Sequence, residues 1–269
     1  MKKSKMLVIL TLCLIIVLAT TVVNIYADPT LSGGKGQLRV FSANNEPFSI
    51  GMPLLYFSFY QGYANEKLED TSSVSERTLS NTLTLTFVLT EKIELSTALR
   101  GMILPSLEKL TIEQDANEWK LKYLAMQQGA LSIALAPDIS FSLAGSEESK
   151  SKFGAYLIGS LKTAMNKKLP FEFNTNIGFF SSEEFLMPLG FSVSLVTGYS
   201  EFFIEYSADN LSGSDSEQRI TPGIRLNPGK GITLTFALDK TFQTTYPDKR
   251  FNILFSWLGP FSVFGAERK

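Results

Sequence analysis

The chain has 269 residues, 25 Lys+Arg against 26 Asp+Glu, no His and one Cys. It is 44% hydrophobic and 19% charged, with 21 Phe, a composition that excludes a disordered chain and, lacking a basic excess, a nucleic-acid binder. The absence of His removes Ser-His-Asp triads, HExxH zinc sites and every other mechanism that uses an imidazole.

The first 27 residues read as an address. Lys2, Lys3 and Lys5 form a basic start, Met6 to Val23 is nearly all apolar, and Ala27 is a small residue at a cleavage site. This is a signal-peptide pattern. Ile25 and the length of the apolar run leave an uncleaved anchor as the alternative. Removing the segment takes away Cys13, three Lys and no acid, which leaves 22 basic against 26 acidic residues. No disulfide framework is then available, and no thiol nucleophile.

After it comes residues 28–46, expected to be a periplasmic lead-in or a small plug. Gly33-Gly34-Lys35-Gly36 is glycine-rich, but no helix follows, so a phosphate cradle is not expected. Gln37–Asn44, with Leu38, Val40 and Ala43, fits either a plug folded into a lumen or a short periplasmic strand.

From residue 47 onward the dominant signal is alternation with period 2. Leu83, Leu85, Phe87 and Leu89 share one face opposite Thr82, Thr84 and Thr86. Beyond Thr90-Glu91-Lys92, Ile93, Leu95, Thr97 and Leu99 continue it, which predicts a tight hairpin. The same pattern recurs in Trp119–Tyr123, Leu131–Leu135, Phe153–Leu161, Phe171–Phe179, Leu189–Leu195, Phe202–Tyr206, Ile220–Leu226, Ile232–Leu238 and Phe251–Trp257. With Pro47–Tyr60 in front, this gives about 12 strands of roughly 9–13 residues, long enough to cross a bilayer when tilted. Connections alternate, with long polar ones at Gln61–Arg77, Pro105–Glu118 and Asp209–Gln218. Short ones fall at Thr90, Met126–Gly129 and Asn227-Pro228-Gly229. The expected fold is therefore all-β, an up-and-down antiparallel transmembrane β-barrel over residues 47–264, with a tail at 265–269. A soluble β-sandwich also alternates. It is disfavoured because the polar face is small and hydroxylated (Thr82, Thr84, Thr86, Ser192, Ser194, Thr233, Thr235) instead of rich in Lys and Glu.

Several of these segments resemble uncharacterised bacterial outer-membrane barrels of the transporter type. They are Thr221-Pro222-Gly223-Ile224-Arg225, Asn227-Pro228-Gly229, Tyr246-Pro247-Asp248 with the strand ending at Trp257, and Gly33-Gly34-Lys35-Gly36 with Leu38-Arg39-Val40. The resemblance implies a barrel and an outer-membrane address, and transfers no catalytic residue. Such barrels commonly end on an aromatic residue, whereas here Phe264 is followed by Gly265-Ala266-Glu267-Arg268-Lys269.

If the apolar stripes face lipid, the lumen is lined by Glu94, Arg100, Lys120, Lys122, Glu172, Asn174, Asn176, Glu205, Arg219, Arg225 and Asp239. These side chains form either a salt-bridged filling or a polar constriction that selects solutes. Trp119, Tyr123, Tyr206 and Trp257 are candidates for interfacial girdles. Glu147-Glu148 and Glu183-Glu184 fall in expected loops and read as solvated acids. No enzyme activity, cofactor or metal is expected. The expected partners are outer-membrane lipid, the barrel-assembly machinery and small solutes. The expected role is a narrow channel or transporter, with a filled-lumen structural or adhesive barrel, or a secreted ligand-binding sandwich, as alternatives.

Overall fold

A computed structural model describes residues 30–31, 35–45, 54–67, 75–105, 110–142, 151–164, 170–182, 184–197, 200–211, 213, 216–229, 232–242 and 249–260. The signal segment, Gly33-Gly34, Glu147-Glu148, Glu183, Tyr246-Pro247-Asp248, Phe264 and the C-terminal tail lie outside the described residues.

Among the described residues, thirteen strands follow one another. They are β1 (Leu54–Lys67), β2 (Ser75–Thr90), β3 (Ile93–Pro105), β4 (Leu110–Gln128), β5 (Leu131–Ser142), β6 (Lys152–Ala164) and β7 (Pro170–Ser181). Then come the two-residue β8 (Phe185–Leu186), β9 (Leu189–Val196), β10 (Ser200–Ala208), β11 (Gln218–Gly229), β12 (Ile232–Thr241) and β13 (Lys249–Pro260). Twelve of them form one continuous antiparallel wall, and β8 pairs only with the end of β7. The wall closes where β1 meets β13, from Leu54↔Pro260 through Ala64↔Arg250. Closure leaves no unpaired sheet edge to face lipid.

The side chains are arranged inside out. Trp119, Leu121, Tyr123, Leu135, Phe153 and Ile204 stand on the exposed face. Thr84, Glu94, Lys122, Ser194, Glu205 and Arg225 are buried on the other. A water-soluble domain does not show so continuous an apolar exterior. The alternation that allows this is the strand's own two-residue period, which sends successive Cβ atoms to opposite faces. Of the candidate girdle residues, Trp119 and Tyr123 are exposed on the outer face, whereas Tyr206 and Trp257 are half-buried.

Three expected boundaries are corrected. Gln61–Lys67 and Ser75–Arg77, read as loop, belong to β1 and β2. Leu110–Glu118, also read as loop, is the first half of β4, paired with β3. Asn227-Pro228-Gly229, read as a turn, ends β11 and carries a bulge against β12. In the first two cases cross-strand pairing meets the backbone's hydrogen-bonding need whatever the side-chain polarity, so polar composition alone placed these ends wrongly. At the β4–β5 hairpin the turn is Gly129-Ala130, and Gly129 has φ +58°, a left-handed conformation that suits glycine.

Candidate functional site: a plugged lumen

Residues 35–45 lie within the ring of strands. Gly36 and Phe41 form an antiparallel bridge, with Gln37 N–H donating to Val40 O at 2.8 Å and Ser42 N–H to Lys35 O at 2.8 Å. The result is a tight hairpin whose outward-pointing backbone groups have no strand to pair with. Leu31 N–H donates to Leu38 O at 2.8 Å, and the barrel wall supplies the partners described next.

On β10, one Glu205 carboxylate oxygen accepts the backbone N–H of Arg39 at 2.8 Å and of Val40 at 3.0 Å. On β7, Asn176 Oδ1 accepts Phe41 N–H at 3.2 Å. On β6, Ser160 Oγ accepts Ala43 N–H at 2.7 Å. On β3, Glu94 accepts Lys35 N–H at 3.3 Å. The carbonyls are met by cations. Lys122 Nζ on β4 donates to Ser42 O and Asn44 O at 3.1 and 3.0 Å, and Arg225 Nη2 on β11 donates to Gly36 O at 3.0 Å.

Side chains add to this. Arg39 meets Asp239 on β12 with two hydrogen bonds, of 3.0 and 2.7 Å. Burial opposes the Arg39 charge, but Asp239 and Glu205 more than compensate, so the guanidinium is held above its ordinary pKa. Gln37 donates to Glu201 at 2.6 Å, and the same carboxylate takes Arg225 Nη1 at 2.7 Å. Ser42 Oγ donates to Glu172 at 2.8 Å. Lys120 Nζ sits 3.9 Å from the centroid of the Phe41 ring. Leu38 packs into an apolar cluster with Tyr60, Phe203, Ala237 and Leu254. On β9, Gly190 permits close approach, since a Cβ there would stand 2.8 Å from both Val40 Cγ2 and Asn176 Oδ1.

The wall is also cross-braced by its own ion pairs. Lys120 bridges Glu118 at 3.0 Å and Asp138 at 3.1 Å, Arg100 reaches Glu118 at 2.5 Å, and Lys122 pairs with Glu94 at 2.7 Å.

The structure thus places all eleven sequence-derived residues on the wall and divides them. Glu94, Lys122, Glu172, Asn176, Glu205, Arg225 and Asp239 bond the plug directly. Lys120 touches it through Phe41, and Asn174 accepts a 2.5 Å hydrogen bond from Ser160. Arg100 and Arg219 stand above it, Arg219 bonded to Asp209 and Glu217 at 2.6 and 2.7 Å. Sequence reasoning missed Glu118, Asp138, Glu201 and Ser160. Glu118 was hidden by the wrong loop boundary, and Glu201 and Asp138 were legible from period 2 as inward-facing charges.

No protein-family model and no curated protein matches the chain. Among solved structures it is similar to the KdgM porin, with a TM-score of 0.56 at 8% identity, covering 75% of this chain and 98% of that one. The KdgM porin in complex with disordered oligogalacturonate gives 0.51 at 10% identity, covering 74% and 98%. An outer-membrane channel from Pseudomonas putida F1 gives 0.51 at 8% identity, covering 79% and 97%. This is the fold of a bacterial outer-membrane β-barrel. At such low identity the likeness is one of fold, and it agrees with the closed wall and the apolar exterior.

Proposed function

We propose that the chain is an outer-membrane channel for small solutes whose lumen is closed by residues 35–45, and that displacement of this plug opens the path. The observation that carries the reading is the chemistry of the plug's contacts. Nearly every bond that holds it runs from a plug backbone or polar group to a wall side chain, and water and solute can replace such bonds one by one. A permanent core would rest on apolar burial. A barrel of twelve spanning strands is narrow, so the solutes are small. Outer-membrane lipid surrounds the wall, and the barrel-assembly machinery inserts it. The oligogalacturonate of the KdgM complex supports a solute-conducting reading of this architecture without naming the solute here.

The second reading is a permanently filled barrel with a structural or adhesive role. It draws on Leu38, Val40, Phe41 and Ala43, which are all buried. Planar-bilayer recordings separate the two. A gated channel gives rare openings in the full chain and steady conductance in a variant lacking residues 30–45. Silence of the full chain under all voltages and solutes contradicts the channel reading.

A further inference from the structure

Above the plug, toward the long connections, the lumen widens into a cavity of about 740 Å³. Its floor includes Arg39 and Phe41 of the plug. Its walls come from the upper parts of many strands, including Arg100, Lys152, Arg219 and Arg250. Of the charged residues that line it, five are cationic, and three are acidic: Glu184, Asp209 and Glu217.

The balance of commitments is more telling than the count. Asp209 and Glu217 are both taken by Arg219 Nη2. Among the described residues, Lys152 and Arg250 enter no ion pair with an acid. Arg219 is 4% exposed, and its Nε has no hydrogen-bond partner among the described residues. A buried guanidinium N–H left without an acceptor is costly, but this one is sealed from the cavity, so Arg219 contributes there only through its charge. One wall is aromatic. Tyr156 lies 5.0 Å from Phe41 and 4.9 Å from Phe180, centroid to centroid, and all three rings line the space.

We propose that this cavity binds a small organic anion, a carboxylate with a flat body, whose charge is taken by Lys152 and Arg250 and whose body lies on the Tyr156 wall. The inference rests on the channel reading for its physiological meaning, since it names the class of solute that waits above the plug. The site itself does not depend on conduction. A carboxylate supplies acceptors for several donors at once, which a neutral solute of the same shape cannot do. Loss of one charge-assisted contact weakens binding by about tenfold.

The test is equilibrium binding of benzoate to the full refolded chain in detergent, with benzyl alcohol as the neutral isostere. Benzoate binds, benzyl alcohol binds at least about tenfold more weakly, and Lys152→Gln and Arg250→Gln each weaken benzoate by about tenfold while leaving heat-modifiable gel migration unchanged. Raised salt weakens benzoate and not the alcohol. Equal binding of the two ligands, or benzoate binding untouched by both substitutions together, overturns the proposal. Benzoate binding without any conductance leaves the site standing and removes the channel reading. Conductance with no benzoate binding removes the site and leaves the channel.

Discussion

Arg39 and Asp239 join the plug to the wall across 200 positions of sequence, through a two-point contact of 3.0 and 2.7 Å. Asp239 also accepts a 2.7 Å hydrogen bond from Thr221, and so is held in place before the plug arrives. Glu205 stands 3.7 Å from Nη1 of the same guanidinium. A single plug residue is thereby fixed between two strands, and the strength of the closure follows from it.

Asp239→Asn keeps the shape and removes the charge. Breaking one side of a buried pair costs about 3–5 kcal/mol when no other partner exists. Here Glu205 remains, so the loss falls at the lower end of that range. The expected outcome is more frequent channel opening and faster proteolysis near residues 35–45, with the folded barrel retained. Single-channel recording and limited proteolysis read both.

Glu205→Ala removes the acceptor of two plug N–H groups at once. Each buried donor left unsatisfied costs about 1–3 kcal/mol. Glu205→Gln keeps an acceptor oxygen and loses the charge, so it should open the channel less than Glu205→Ala. The order of open probability, wild type below Gln below Ala, checks the assignment.

Gly190→Val inserts bulk where a single Cβ already meets Val40 and Asn176 at 2.8 Å. The plug must shift while β9, which is paired on both flanks, stays. The variant should conduct constitutively and still migrate as a folded barrel on a heat-modifiable gel.

Leu135→Arg tests the outer face. Leu135 is 46% exposed on β5, between Tyr123 of β4 and Leu157 of β6. A cation on the lipid side of a barrel costs about 2–4 kcal/mol at the bilayer midplane. Refolding into liposomes, followed by urea titration, should show a loss of this size.

The barrel was legible because its evidence is local. Thr82, Thr84 and Thr86 opposite Leu83, Leu85 and Phe87 reveal the face of a strand within six residues. The inward position of Glu94, Lys122 or Arg225 follows from the same parity. What they hold was not legible. Ser160 meets Ala43 across 117 positions and Gln37 meets Glu201 across 164, and no short-range pattern encodes such contacts. The hairpin of residues 35–45 left plug and periplasmic strand equally open, because a tight turn flanked by apolar residues suits either. Strand ends were the other loss, since pairing at Gln61–Ala64 or Leu110–Glu118 depends on neighbours and not on local polarity.

The most direct test uses the cysteine-free sequence beyond the signal segment. Ser42 Oγ and Ser160 Oγ are 3.4 Å apart, so the double variant Ser42→Cys/Ser160→Cys can tie the plug to β6 by a disulfide. Single-channel conductance is measured before and after reduction. A movable plug predicts a closed channel when oxidised and discrete openings when reduced. The same current in both states contradicts it.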